Sequence, residues 1–348
     1  MTYEPPRRSS GAIEHQRVKL PWPKNRPFRI LAIDGGGICG ILPAAYLREL
    51  EARFLGGTSV GRYFDMIAGT STGGVIALGL ACAIKADDIL KLYTERGEAI
   101  FPPGNVATRA LRKCRHVVRY IYDEKSLETE LRKIFRDRVI GEATTRLVIP
   151  AFEGRYGEPW IYKTPHHPDY SKDQHEQMAR VAMATAAAPT YFKAFENNHY
   201  MFVDGGVWAN NPVMNAVVDA LACFDLDRRQ IEVLSLGCGE TVQRVDAKLS
   251  VAGLWGWRGI IKAAIRAQSR NALGQAYLLL GKDRVLRVDA PESDKPIELD
   301  NVRRARKELP ALARALADAN GQDVKRRFLA YPAAPYSPVS VSTLASIS

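Results

Sequence analysis

Short apolar runs alternate with longer amphipathic stretches from Phe28 to about Gly239, and this spacing predicts strands and helices in turn. Strands are predicted at Phe28 to Ile33, Tyr63 to Ala68, Arg146 to Phe152, Met201 to Val203 and Ile231 to Leu236. Helical patterns run from Leu42 to Phe54, Val75 to Ile84 and Val213 to Cys223. The last has a good start, because an asparagine at 210 or 211 can cap free N–H groups and Pro212 suits a first turn. The alternation argues an α/β fold, a mostly parallel sheet wrapped by helices. Residues 1–26 read as a Pro- and Arg-rich extension and 27–240 as the alternating core. Residues 241–330 read as a C-terminal helical, regulatory part packed on that core, and 331–348 as a Pro/Ser tail expected to be loose. No internal repeat is visible.

Three junctions carry chemistry. Ser71 sits in Gly69-Thr70-Ser71-Thr72-Gly73, between a predicted strand and a predicted helix, the setting of a nucleophile elbow. A serine hydroxyl needs a base for its proton and fixed donors for the charge that forms on a substrate carbonyl. Donors are offered upstream by Gly35-Gly36-Gly37, which follow a buried strand and Asp34 and open a helix. Unshielded N–H groups at a positive dipole end make an anion or oxyanion site. Asp34 itself reads as a brace for this loop. A base is offered downstream by Asp204, which ends a short strand and precedes Gly205 and Gly206, small enough to permit close approach.

Two rivals fit less well. Gly35, Gly37 and Gly40 match a dinucleotide-binding spacing, but no second strand ending in a ribose-binding carboxylate follows between Glu49 and Gly61. A Ser-Asp-His triad wants its histidine last in the chain, and none follows His199. His199, five residues before Asp204 on the same strand-like run, reads as structural. His166 and His167, between prolines, read as a surface loop without the companion ligands of a metal site.

Asp34-Gly35-Gly36-Gly37, Gly69-Thr70-Ser71-Thr72-Gly73-Gly74 and Asp204-Gly205-Gly206 resemble, in order and spacing, the three signatures of patatin-like phospholipases. Ala186 to Phe192, Asn210-Asn211-Pro212, Tyr122 to Phe135 and Leu234 to Gly239 resemble further segments of that family, so the likeness spans about Arg29 to Gly239. The resemblance implies a three-layer sandwich and a Ser-Asp dyad. Ser71 would be the nucleophile, Asp204 its base, and the Gly35, Gly36 and Gly37 backbone the oxyanion hole. It implies phospholipase A chemistry on membrane glycerophospholipid esters, with no metal or cofactor. One position departs: patatins usually carry Arg or Lys where this chain has Cys39, so the means of holding the glycine loop is in question. The overall layout further resembles bacterial patatin-like effectors of anti-phage systems, which implies a cyclic oligonucleotide activator. The competing reading is an inactive membrane- or nucleotide-binding module whose glycine loop merely holds phosphate.

Composition sets the frame. A chain of 348 residues with 46% hydrophobic content can bury one large core, alone or with a small accessory region. Its apolar stretches are too short to span a bilayer, and Pro5, Pro6, Arg7 and Arg8 leave no signal-peptide core. Five scattered cysteines suit reduced thiols, and the expected location is the cytoplasm, peripheral at the inner face of the membrane. The net charge of +11 is uneven. Arg258, Lys262, Arg266 and Arg270 recur every four residues on a helix predicted from near Leu254, with Trp255 and Trp257 at its start. That pattern fits either an interfacial helix meeting anionic lipid or a regulator, or a core helix with a solvated basic face. Arg109, Arg112, Lys113, Arg115 and Arg119 form a second basic cluster, a candidate lid or phosphate contact. No nucleic-acid-binding module accompanies this charge, so nucleic acid is not an expected partner; a homo-oligomer is allowed but specified by no motif.

Overall fold

Phe28–Ile33 forms β1, and all six side chains are buried because the strand runs through the middle of a sheet covered on both faces. The computed structural model describes residues 3–8, 17–102, 121–239, 260–293 and 295–339. After β1 come α1 (Ile41–Phe54), β2 (Met66–Gly69), α2 (Thr72–Ala81), α3 (Ala86–Thr94) and α4 (Glu124–Phe135). Then follow β3 (Arg146–Glu153), β4 (Glu158–Lys163), α5 (Met178–Ala186), β5 (Phe195–Asn197), β6 (Tyr200–Asp204) and α6 (Val213–Cys223). The described chain continues with β7 (Ile231–Leu236), α7 (Ile260–Leu280), β8 (Val285–Val288) and α8 (Val302–Phe328).

The eight strands form one sheet in the order β5-β6-β3-β2-β1-β7-β8, with β4 also on β3. The central run from β3 to β8 is parallel, and β4, β5 and β6 add antiparallel pairs. Strand periodicity sorts β1 between two layers. Phe28, Ile30 and Ala32 pack toward Val213 and Val217 of α6 and Ala276 of α7, whereas Leu31 and Ile33 pack toward Leu42 of α1 and Ile76 of α2. The result is the expected three-layer sandwich. Beyond Gly239, β8 extends this same sheet, and α8 lies along α1 through Ala305, Leu309, Ala313, Ala317, Gly321, Val324 and Phe328, spaced three and four residues apart. The end of α8 is held by the buried Arg29, whose Nη1 donates to the carbonyls of Phe328 and Tyr331 at 2.8 and 2.7 Å. Residues 331–339 return along the body, with Ala333 N donating to Arg62 O and Val339 N to Pro165 O.

Three expectations need correction. The strand predicted from Tyr63 begins only at Met66: Val60–Tyr63 is a 3-10 turn, and the buried Asp65 turns its carboxylate to Arg26 and to the Arg29 N–H. His199 is not in a strand. With Asn198 it makes the β5–β6 hairpin turn, both residues at positive φ (68° and 48°). His166 and His167 are not on the surface but buried, for the reason given below.

The edge of β3 decides where the chemistry sits. Val148 pairs with Ala68 of β2 and with Lys163 of β4, so β2 and β4 flank β3 on opposite edges. Ala151 pairs with Asp204 of β6 and with Trp160 of β4, which puts β6 on the same edge as β2. The C-terminal ends of β2 and β6 therefore approach each other along one edge, across the gap at Pro150, which has no N–H to leave unpaired there.

Candidate active site

Ser71 lies in that gap. It caps α2 with φ 56° and ψ −124°, a strained conformation that holds its side chain at the tip of the turn between β2 and α2. The bend is tight enough that a Cβ on Gly69 would sit 2.1 Å from the Gly73 carbonyl oxygen, and one on Gly73 would sit 2.3 Å from that of Ile33. Both motif glycines are thus required by close backbone approach. Thr185 of α5 fixes the elbow to β3: its Oγ1 accepts from Ser71 N at 2.9 Å and donates to Pro150 O at 2.6 Å. The sequence reading missed Thr185; its signal was a hydroxyl on the buried face of an Ala- and Met-rich helix.

Asp204 ends β6 and lines the same cavity as Ser71, close enough that the Ser71 side chain favours its ionised form. Its Oδ1 accepts from Gly206 N at 2.7 Å, and Gly205 packs on Pro150. Burial raises the Asp204 pKa to about 6, against the lowering effect of the Ser71 side chain and of the bond from Gly206. Such a carboxylate is a better base near neutrality than an exposed one.

The three loop glycines are not equivalent. Gly35 N donates to Asn210 O at 3.0 Å, so that amide is committed to the scaffold. Gly36 and Gly37 are the N-cap and first residue of the turn Gly37–Gly40, where N–H groups have no partner within the turn. Ile38 N, next along, is taken by Leu299 O at 2.9 Å. The loop lacks a basic residue at position 39, and the structure holds it another way. Arg287 of β8 donates through Nη2 to Asp34 Oδ2 at 2.7 Å and to Asp289 Oδ2 at 2.6 Å, and through Nη1 to Ser235 Oγ at 2.8 Å. Asp34 is therefore a brace, as expected, and Arg287 is the partner that sequence reasoning missed.

Ser71, Asp204 and the three glycines line one cavity of about 1000 Å³, at the upper end for small-molecule sites. Its inner wall is apolar, including Val75, Leu92, Phe101, Leu127, Phe192 and Leu309. Residues of α7 and of the chain after β8, including Ile265, Glu292 and Ile297, also line the cavity. Arg266, one of the predicted basic stripe, lines this cavity and pairs with Glu292, and Arg270 pairs with the same carboxylate. Trp255, Trp257 and Arg258, the side chain of Lys262, and the 109–119 cluster lie outside the described residues.

His166 belongs to a different buried network. Its Nε2 lies 2.6 Å from Asp219 Oδ2, its Nδ1 2.8 Å from Thr164 Oγ1, and Asp219 also binds Lys163 and the Tyr170 hydroxyl. Burial lowers the His166 pKa against the pull of Asp219, and His166 and Lys163 hold the Asp219 carboxyl well below the usual range despite its burial. Among the described residues His166, Asp219 and Cys223 come close enough to share a cation, but the Lys163 ammonium already occupies the carboxylate. These residues explain why the His166-His167 segment is buried: its polar atoms are satisfied internally.

The model of the patatin-like phospholipase family matches residues 31–217. The chain is 34% identical over 263 residues to a cGAMP-activated phospholipase of Pseudomonas aeruginosa, covering 72% of this chain and 77% of that one. It is 33% identical to a cGAMP-activated phospholipase of Escherichia coli, covering 60% and 61% of the two chains. A third, from Vibrio cholerae, is 31% identical with coverage of 66% and 70%.

Proposed function

Because this chain belongs to the patatin-like phospholipase family, we propose that it hydrolyses glycerophospholipid acyl esters through Ser71 and Asp204, with cGAMP or a related cyclic oligonucleotide as its activator. The observation that carries the reading is the meeting of Ser71 and Asp204, from distant parts of the chain, at one end of an apolar cavity. An acyl chain lies along the apolar wall with its carbonyl at the elbow. Ser71 Oγ attacks the carbonyl carbon as its proton passes to an Asp204 carboxylate oxygen. The N–H groups of Gly36 and Gly37 receive the oxyanion. As the tetrahedral intermediate collapses, Asp204 returns the proton to the departing lysophospholipid oxygen, leaving an acyl-Ser71 ester. Water, deprotonated by Asp204, then releases the fatty acid and restores the serine. Among the described residues no helix is long and apolar enough to cross a membrane, so the enzyme on this reading meets its substrate from the bilayer surface.

The activator part rests on the likeness to cGAMP-activated bacterial phospholipases and on the net charge of +11. A fluorophosphonate probe, applied with and without cGAMP, tests both parts. Mass spectrometry is expected to find the adduct on Ser71, formed several-fold faster with cGAMP. An adduct elsewhere, or no labelling under either condition, counts against the dyad; equal labelling rates count against the activator.

The pH dependence has a defined sign. The ionised Asp204 is the working base, and with its pKa raised to about 6, log kcat/KM is expected to fall with unit slope below about pH 6 and level off above it. Stability moves the other way. A carboxyl whose pKa is raised on folding contributes most below its ordinary pKa of about 4, and that contribution is lost as pH rises through 6. A flat rate profile between pH 5 and 8, measured on a soluble ester, would remove Asp204 from the role of base.

A further inference from the structure

One peptide unit, Ala209-Asn210, joins the elbow, the glycine loop and α7. Its carbonyl, Ala209 O, accepts from Thr70 Oγ1 at 2.6 Å, and its N–H, on Asn210, donates to Gln268 Oε1 of α7 at 3.0 Å. The carbonyl of the next unit, Asn210 O, receives Gly35 N–H at 3.0 Å. Thr70 adjoins Ser71 and Gly35 adjoins Gly36, so one stretch of backbone spaces the nucleophile from the loop amides. The base is tied to the same stretch, because Gly206 N donates to Asp204 Oδ1 at 2.7 Å.

This stretch has few bonds of its own. Gly206–Ala209 is a single helical turn in which Ala209 N donates to Gly205 O at 2.8 Å, but the Asn210 N–H, next in the series, goes to α7. The Asn210 side chain follows it, Nδ2 donating to Ser269 Oγ at 3.3 Å. Its Oδ1 lies 2.5 Å from where a Cβ on Gly35 would sit, and Ser71 Cβ lies 3.2 Å from that same point, so residue 210 is wedged between α7 and the reacting groups. Gln268 is not among the residues lining the cavity, whereas Ile265 and Ser269 of the same helix are. The family match ends at residue 217, so α7 reaches the site from beyond the matched segment. Without Gln268 the peptide would be free to turn, and the partners of Thr70 and Gly35 would turn with it. A displacement of about 1 Å at a catalytic group costs on the order of a hundredfold in rate.

We propose that Gln268 is a positioning residue for the oxyanion donors: by accepting the Asn210 N–H, it fixes the peptide that spaces Gly36 and Gly37 from Ser71. The inference rests on the reading of Ser71 as nucleophile and of those two amides as the oxyanion donors. Gln268 itself touches no substrate. Its effect therefore falls on kcat rather than on KM.

The test measures hydrolysis of p-nitrophenyl butyrate, with cGAMP present, by two variants of similar length and volume. Gln268→Met removes the acceptor oxygen, and Gln268→Glu keeps it. Gln268→Met is expected to lower kcat about tenfold or more with KM within about twofold of the parent, while Gln268→Glu stays within about threefold in kcat. Binding of palmityl trifluoromethyl ketone gives a second readout, because its adduct with Ser71 carries an oxyanion. Its affinity for Gln268→Met should weaken by about the same factor as kcat. An unchanged kcat in Gln268→Met overturns the proposal, as does a loss that Gln268→Glu shares or one that leaves ketone affinity unmoved. A Tm lower by about 10 °C or more in Gln268→Met, with KM raised as much as kcat is lowered, would make Gln268 an ordinary brace and overturn it too. Failure of the underlying reading shows separately, as hydrolysis of the same ester that survives Ser71→Ala.

Discussion

Ser71→Ala is expected to lower kcat/KM by about 10⁴-fold or more while leaving Tm within a few degrees of the parent. On the proposed mechanism the rate loss follows from removing the atom that forms the acyl bond; what remains is binding and oxyanion stabilisation without a nucleophile. The fold is spared because the elbow is held by backbone. Ser71 N still donates to Thr185 Oγ1, and alanine carries about the same strain as serine at φ 56°. Without the Ser71 hydroxyl, which favours the ionised form, the buried Asp204 carboxyl holds its proton to still higher pH. Kinetics on a phospholipid micelle and a thermal melt together decide the matter. Substantial turnover in the well-folded variant would place the nucleophile elsewhere.

The largest expected effect on stability is that of Gly73→Ala. The added Cβ would lie 2.3 Å from Ile33 O and 2.7 Å from Asp34 O, and both are backbone atoms of β1 and its following turn. No flexible side chain stands there to move aside, so either α2 shifts away from the sheet or the glycine loop is displaced. A cost of at least about 4 kcal/mol is expected, seen as insoluble protein or a Tm lower by roughly 10 °C. Gly274→Ala is the control. It also sits in a helix, but a Cβ there meets nothing within 4 Å, so it should be neutral or gain up to about 1 kcal/mol from helix propensity. Wild-type melting of the Gly73 variant would show that the elbow has slack which the geometry denies.

Much of the site was legible because its parts are local. Gly69 to Gly73 make a strand-turn-helix junction by themselves, and the sequence shows it. The unequal fates of the loop glycines were not legible. Gly35 gives its N–H to Asn210, a residue distant in the chain, and only a folded backbone shows which amides are spent. The absent basic residue at position 39 illustrates the same limit: Arg287 performs the bracing from β8, a short strand with no clear pattern of its own. His166 and His167 were misplaced because two histidines flanked by prolines look solvent-exposed until Asp219 and Thr164 are seen to satisfy His166, and Val18 O and Asp169 N to satisfy His167. Arg266 and Arg270 were legible as a periodic basic stripe, but not as neighbours of Glu292.

By itself the sequence determined the alternation of β1, β2, β3, β6 and β7 with helices, though not β4, β5 or β8, together with the position of the elbow and which serine, carboxylate and glycines were candidates. Those follow from side-chain periodicity and turn chemistry, which act over a few residues. Tertiary structure alone decided that β2 and β6 share one edge of β3, and so that Ser71 and Asp204 meet. It also decided that an apolar chamber forms beside them and that Arg287 and Thr185 hold the parts in register. Those outcomes depend on strand pairing and burial between segments far apart in the chain, where no local pattern carries the information.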